Sequence, residues 1–254
     1  MTRTLGTKIQ VCGRVVVEID GTRVEGQLPG RLGRLLLVYL VVNRTRDVPV
    51  DELIECLWPR HAPLHAAATL RTLVSKVRSV LKSDLVARDR GYRLELGPEV
   101  RVDLEQALEA IHRAETAVEA SNWARAWGAS QVALFTARRG FLPGEDAAWI
   151  DELRTTLVEL ELRALECYAS AALGVGGVEI PGAERSARRL IQREPFRESS
   201  YRLLMRALAE RGNIADAVRV YERLSTMLRE ELGVSPSPST QALHVSLLRL
   251  HRDS

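Results

Sequence analysis

Residues 64–81 read LHAAATLRTLVSKVRSVL. On a helix, Leu70, Leu73, Val74, Val77, Val80 and Leu81 recur at three- and four-residue steps and form one apolar stripe, which needs a core to cover it. The opposite side carries Ala68, Thr72, Ser75 and Ser79 down its middle, with Arg71, Arg78 and Lys82 along one flank and Lys76 along the other. A helix that lies in the DNA major groove needs such a face. Small polar side chains let its backbone approach the base edges while longer cations reach the phosphates on either wall. An ordinary solvated face is the competing reading, and the surrounding chain has to decide between them.

Upstream, Lys8 to Val11, Arg14 to Ile19 and Thr22 to Val24 are short β-rich pieces separated by Gly13 and by Asp20-Gly21, a hairpin-type turn, and predict a small antiparallel sheet. After Leu28-Pro29-Gly30 comes RLGRLLLVYLVVN, apolar nearly all round and therefore a buried first helix. Arg44-Thr45-Arg46-Asp47 breaks it. A second helix runs from Val50 to Trp58, its positive dipole end complemented by Asp51 and Glu52, and Pro59 and Pro63 end it. Residues 64–81 follow as the third helix. LVARDRGYRLEL then reads as two strands joined by a tight turn at Asp89-Arg90-Gly91.

Charge supports the groove-reading face. Residues 1–98 hold 16 Lys+Arg against 10 Asp+Glu, whereas the remainder holds 20 against 23. A basic front half joined to a mildly acidic back half points to a polyanion partner for the first alone. At 254 residues the chain is long enough for two domains, and its 46% hydrophobic content can fill both cores. Cys12, Cys56 and Cys167 are odd in number and widely spaced, which fits a reducing cytoplasm. The N-terminus lacks the long apolar segment of a signal peptide, and the longest apolar run, Leu35 to Val42, is too short to span a bilayer. A cytoplasmic protein with no membrane partner is expected.

Sheet, three helices with the third basic, and an arginine-bearing hairpin follow one another in the order of a winged helix-turn-helix. Here the chain resembles the Streptomyces antibiotic regulatory protein (SARP) family, through Leu57-Trp58-Pro59, Thr69-Leu70 and Gly91-Tyr92-Arg93 in a DNA-binding domain similar to the OmpR-type winged helix. The resemblance implies that Thr72, Ser75, Lys76 and Ser79 read bases, that Arg71, Arg78 and Lys82 clamp phosphates, and that Arg88, Arg90 and Arg93 act from the wing. Many members have an aromatic residue where this chain has Leu73, which belongs to the apolar stripe. Tyr92 is expected to pack on the third helix.

From Val102-Asp103 onward the pattern is helical. NWARAW at Asn122 to Trp127 recurs as NIADAV at Asn213 to Val218, each opening a helix after a long one, so the chain contains an internal repeat. In the second copy Leu204, Gly212, Ala217, Tyr221 and Leu224 sit at offsets similar to those of a tetratricopeptide repeat. Intervening helices, Ala147 to Leu173 and Pro181 to Gln192, are broken by Gly174-Val175-Gly176-Gly177 and by Pro195. Trp149, Tyr201 and Tyr221 read as packing residues. Pro236 to Ser239 ends one helix, and Ser239 or Thr240 can cap the next. This half resembles the bacterial transcriptional activation domain of the same family, through residues 139–154, 194–224 and 228–248. That resemblance implies dimerisation and recruitment of RNA polymerase.

Enzyme chemistry is not legible. His61 and His65 have an i, i+4 spacing, but Pro63 lies between them and no third ligand is evident, so no metal is expected. Residues 174–177, GVGG, lack the lysine and the strand-to-helix context of a phosphate loop. Acid pairs such as Glu145-Asp146 and Glu230-Glu231 lie in or beside amphipathic helices, where carboxylates are solvated. No cofactor is expected either.

The expected architecture is therefore mainly α: an α+β winged helix-turn-helix at residues 1–98, then an all-α tetratricopeptide-like helical-repeat domain at residues 99–254. The expected function is a sequence-specific, non-enzymatic DNA-binding regulator, an activator binding double-stranded promoter DNA as a homodimer on direct repeats and helping recruit RNA polymerase, in a secondary-metabolite context. Two other readings stay open: a helical-repeat protein adaptor, and a regulator that senses a small molecule.

Overall fold

The computed structural model describes residues 6–81, 85–88, 91–97 and 99–252, the side chains of 85–88 and 250–252 excepted. Its elements run β1 (Lys8–Gln10), β2 (Val16–Ile19), β3 (Thr22–Arg23), α1 (Gly30–Val42), β4 (Val48–Pro49), α2 (Val50–Leu57), α3 (Ala66–Leu81), β5 (Leu85–Arg88), β6 (Gly91–Leu94) and β7 (Arg101–Val102). Helices then take over: α4 (Asp103–Glu119), α5 (Trp123–Ala137), α6 (Ala148–Val175), α7 (Ile180–Arg193), α8 (Glu198–Glu210), α9 (Ile214–Leu232) and α10 (Pro238–Arg252). The described chain is mainly α. It divides into two compact units, Met1–Ala107 with Thr136–Leu157, and Leu108–Phe135 with Val158–Ser254.

In the first unit a four-stranded sheet has the order β3-β2-β1-β7. The β2–β3 hairpin turns on Asp20 and Gly21, whose φ values of 49° and 80° are the left-handed pair that Asp-Gly adopts most readily. A parallel pairing of Ile9 with Val102 closes the sheet. It was not legible in the two residues of β7, which read as the start of a helix. Asp103, first residue of α4, then accepts the N–H groups of Val11 (2.8 Å), Cys12 (3.2 Å) and its own neighbour Leu104 (2.9 Å). Burial raises its carboxyl above the usual range, against the pull of those three bonds.

Every residue of α1 from Leu35 to Val41 is buried, as a stretch apolar on all sides must be. It packs against α2 and α3. The helix α3 contributes Leu70, Leu73, Val74, Val77 and Leu81 to this core, and Val80 is half-buried. Leu73 is thus a core residue. Leu64 lies before the helix and is 93% exposed, so the turn of Pro63-Leu64-His65 leads into α3 and is not part of it. A three-stranded sheet, ordered β4-β6-β5, completes the group. Residues 44–47 break the first helix as expected, but Val48 and Pro49 go on to form β4, pairing with Tyr92 and Gly91.

Gly91 reads as a turn residue in the sequence, yet its φ is not in the left-handed region. Its reason is a close approach: a Cβ there would stand 2.0 Å from the Val48 carbonyl oxygen. The turn residues Asp89 and Arg90 lie outside the described residues.

A loop at residues 140–145 belongs to this unit. Cys12 and Phe141 form an isolated antiparallel bridge, and the Gly13 N–H donates to the Gly140 carbonyl at 2.7 Å. Trp149, on α6, meets the rings of Tyr39 and Phe141 edge-on at 4.9 and 6.0 Å.

The second unit is built of helical repeats. The two copies of the repeat superpose in chemistry as well as in letters. Asn122 N–H donates to the Ala117 carbonyl and Asn213 N–H to that of Leu208; Ala126 and Ala217 are fully buried one turn later. The helices before them end on Ser121 (φ 52°) and Gly212 (φ 76°), the left-handed residue of a helix terminus. Tyr201, Leu224 and Leu228 form a cluster with Ile191, Val220 and Met227, while Tyr221 stacks on His244 at 3.8 Å. Gly174 does not break its helix: it lies inside α6, where a Cβ would enter the Trp123 ring, and the break falls at Gly176 and Gly177 with φ of 76° and 56°. Ser237, not Ser239 or Thr240, stands before α10, because Pro238 takes the first helical position. The Glu198 carboxylate accepts from both the N–H and the hydroxyl of Ser237.

Candidate nucleic-acid interface

Helix α3 presents one exposed face over a covered one. Arg71, Thr72, Ser75, Lys76, Arg78 and Ser79 are all exposed, and Leu70, Leu73, Val74 and Val77 behind them are buried. The burial of that stripe fixes the helix in rotation, so the outward set is determined by the core. Arg71 and Lys76 have no hydrogen-bond or ion-pair partner among the described residues, which leaves their full charge available to an external anion. Arg78 is engaged within the protein.

The small residues differ in chemistry. Thr72 donates its hydroxyl to the Ala68 carbonyl at 3.1 Å, so it offers a methyl group and acceptor lone pairs outward rather than a donor. Thr69 does the same toward His65 at 3.2 Å. Ser75 and Ser79 keep free hydroxyls among the described residues and can donate as well as accept. A methyl beside a thymine, a hydroxyl to either base and an ammonium toward guanine are interactions these groups can make in a major groove.

The expected wing cations are distributed differently. Arg93, on β6, pairs with Asp47 at 2.8 Å, its side chain half-buried. To meet a phosphate its guanidinium would exchange or share that carboxylate, and Asp47, one residue before β4, is the partner that sequence reading missed. Arg88 is placed on β5 by its backbone. Lys82 and Arg90 lie outside the described residues.

Elsewhere the described residues offer little reactive chemistry. Among the described residues no group of three or more His, Cys, Asp or Glu side chains could hold a metal ion. All three thiols are buried, and burial pushes those of Cys56 and Cys167 up to about 12, far from thiolate nucleophiles. No described helix is long and apolar enough to cross a membrane.

Residues 102–248 match the model of the bacterial transcriptional activator domain. The chain belongs to this family. Its relatives in the bacterial transcriptional activator domain family are regulators of the SARP type. It is 31% identical over 245 residues to the transcriptional regulatory protein EmbR of Mycobacterium tuberculosis, which covers 93% of this chain and 62% of EmbR. It is 32% identical over 217 residues to the regulatory protein AfsR of Streptomyces coelicolor, covering 85% of this chain and 22% of AfsR. With the regulatory protein DnrI of Streptomyces peucetius it shares 26% identity over 264 residues, covering 95% of this chain and 92% of DnrI. The solved structure of EmbR with a low-affinity phosphopeptide superposes with a TM-score of 0.78 at 29% identity, over 96% of this chain and 65% of that one. The chain thus spans just under two thirds of EmbR's length. Transcriptional regulators, not enzymes, make up the family.

Proposed function

We propose that the chain is a sequence-specific DNA-binding transcription activator. Residues 1–98 act as the DNA-binding domain, with α3 in the major groove and the β5–β6 hairpin against the neighbouring backbone. Thr72, Ser75, Lys76 and Ser79 read base edges; Arg71, Arg78 and Lys82 hold phosphates, with Arg88, Arg90 and Arg93 acting from the hairpin. Residues 99–254 serve dimerisation on DNA and recruitment of RNA polymerase in the cytoplasm. Two copies bind direct repeats about one helical turn apart.

One observation carries this reading: α3 is rotated by its buried stripe so that Arg71 and Lys76, both without partners among the described residues, flank small polar groups on an open face. A solvated helix has no need to keep small side chains between its cations, whereas close approach to base edges requires them. The test is equilibrium binding of the full chain to duplexes from upstream of its neighbouring genes and to scrambled duplexes of the same composition, at ~150 mM salt. Preference for one upstream duplex, with a footprint over two repeats about a helical turn apart, is the expected result. Equal affinity for promoter and scrambled DNA overturns the proposal.

A further inference from the structure

A second feature of the first unit lies outside α3. Between the turn after β1, Glu25-Gly26, Arg34 on α1 and the loop at residues 140–145 there is a cleft of about 450 Å³. That is the size range in which proteins enclose small organic ligands. Arg14 and Arg34 both line it, from elements twenty residues apart, and neither guanidinium has a partner among the described residues.

The two carboxylates of the lining do not neutralise them. Glu25 is engaged by the Val17 N–H (3.4 Å) and by Arg23 (3.5 Å), and Glu145 by Arg31 (2.6 Å). Each lining carboxylate is thus already held by an arginine outside the lining, and Arg14 and Arg34 are left as its two guanidiniums without a carboxylate partner among the described residues. Cations without partners in a concave site attract an anion. Beside the arginines, Val15, Leu142 and Pro143 supply an apolar wall.

We propose that this cleft binds a small organic anion, its carboxylate or phosphate held between Arg14 and Arg34 and its apolar body resting on Val15, Leu142 and Pro143. Guanidinium pairs suit either head group, since both present oxygens for charge-assisted, bidentate hydrogen bonds. The site is separate from the exposed face of α3 and does not depend on what that face reads.

The test is calorimetric titration of the full chain at low ionic strength with α-naphthyl phosphate and α-naphthoate, beside α-naphthol and inorganic phosphate. Saturable binding of at least one naphthyl anion with a Kd below about 1 mM is expected, and the tighter of the two identifies the preferred head group. Inorganic phosphate and naphthol, each lacking one half of the ligand, bind more weakly. Arg14→Gln and Arg34→Gln each weaken binding about tenfold. Arg185→Gln, which removes the same charge from an exposed arginine on α7, leaves it unchanged. Because Arg14 and Arg34 are exposed, neither substitution touches the core. Failure of both anions to saturate below about 10 mM, naphthol binding as tightly as the anions, or equal losses in all three variants overturns the proposal.

Discussion

Arg154 donates from Nη2 to the carbonyl oxygen of Leu142 at 2.9 Å, and Leu142 is held at a φ of 41°. The same guanidinium bonds the carbonyls of Phe141 (3.1 Å) and Glu145 (2.7 Å) and the carboxylate of Asp151 (2.8 Å). A leucine in the left-handed region is strained, so something must over-determine it. Here a planar cation on the next helix ties three carbonyls of one loop. Arg154→Ala is expected to destabilise the protein by about 1–3 kcal/mol, read as a lower urea midpoint. Arg154→Lys recovers only part, since an ammonium cannot span the same three acceptors in one plane.

Gly91 has a sharper requirement. With the Val48 carbonyl 2.0 Å from where a Cβ would sit, Gly91→Ala must push β4 away from β6. The expected cost is about 2–3 kcal/mol, measured by denaturant unfolding. Gly97→Ala is the control, because a Cβ there meets nothing within 4 Å. Equal effects of the two would show that the close approach of the strands is not what Gly91 serves.

Ser121 and Gly212 occupy the same left-handed position in the two repeats, at φ of 52° and 76°. Glycine carries no steric penalty there and serine does. Ser121→Gly should therefore stabilise the chain by up to about 1 kcal/mol and Gly212→Ser should destabilise it by a similar amount. Thermal melts of the pair read opposite shifts.

Tyr39, Glu52 and Arg46 form a network in the first unit: the Tyr39 hydroxyl donates to Glu52 at 2.6 Å and Arg46 bonds both carboxylate oxygens. The Arg46 hydrogen bonds hold the Glu52 carboxyl below its usual 4.5, against the effect of burial. A lowered folded value means that the contribution is present above pH 4.5 and is lost as pH falls through the folded value. Wild type should lose up to about 1 kcal/mol more than Glu52→Gln on acidification through this range. Parallel stability profiles for the two would contradict the assignment.

On α3, Lys76→Ala and Arg71→Ala are expected to separate base reading from phosphate contact. Lys76→Ala should lower affinity for the preferred duplex and also narrow its preference over scrambled DNA by about 1–3 kcal/mol. Arg71→Ala should weaken binding to all sequences alike and reduce the salt slope by about 1. Competition binding at two salt concentrations distinguishes them.

How far the sequence alone reached follows from the range of the physics involved. The stripe of Leu70, Leu73, Val74, Val77 and Leu81, the all-apolar α1, the Asp20-Gly21 turn and the repeat around Asn122 and Asn213 were legible, because each rests on local periodicity or on backbone preference within a few residues. The outward set on α3 followed from the same stripe, since burying one side of a helix leaves no freedom in the other.

Only the tertiary structure decided features in which distant segments meet. It paired Ile9 with Val102, aimed Asp103 at Val11 and Cys12, and bridged Cys12 to Phe141. It moved the reason for Gly91 from a turn to a neighbouring strand, engaged Arg93 with Asp47, and brought Arg14 and Arg34 to one cleft. Hydrophobic patterning specifies which face of an element is covered. The partner of a single carboxylate, guanidinium or glycine hydrogen is set by the packing of whole elements, and no short window of sequence contains it.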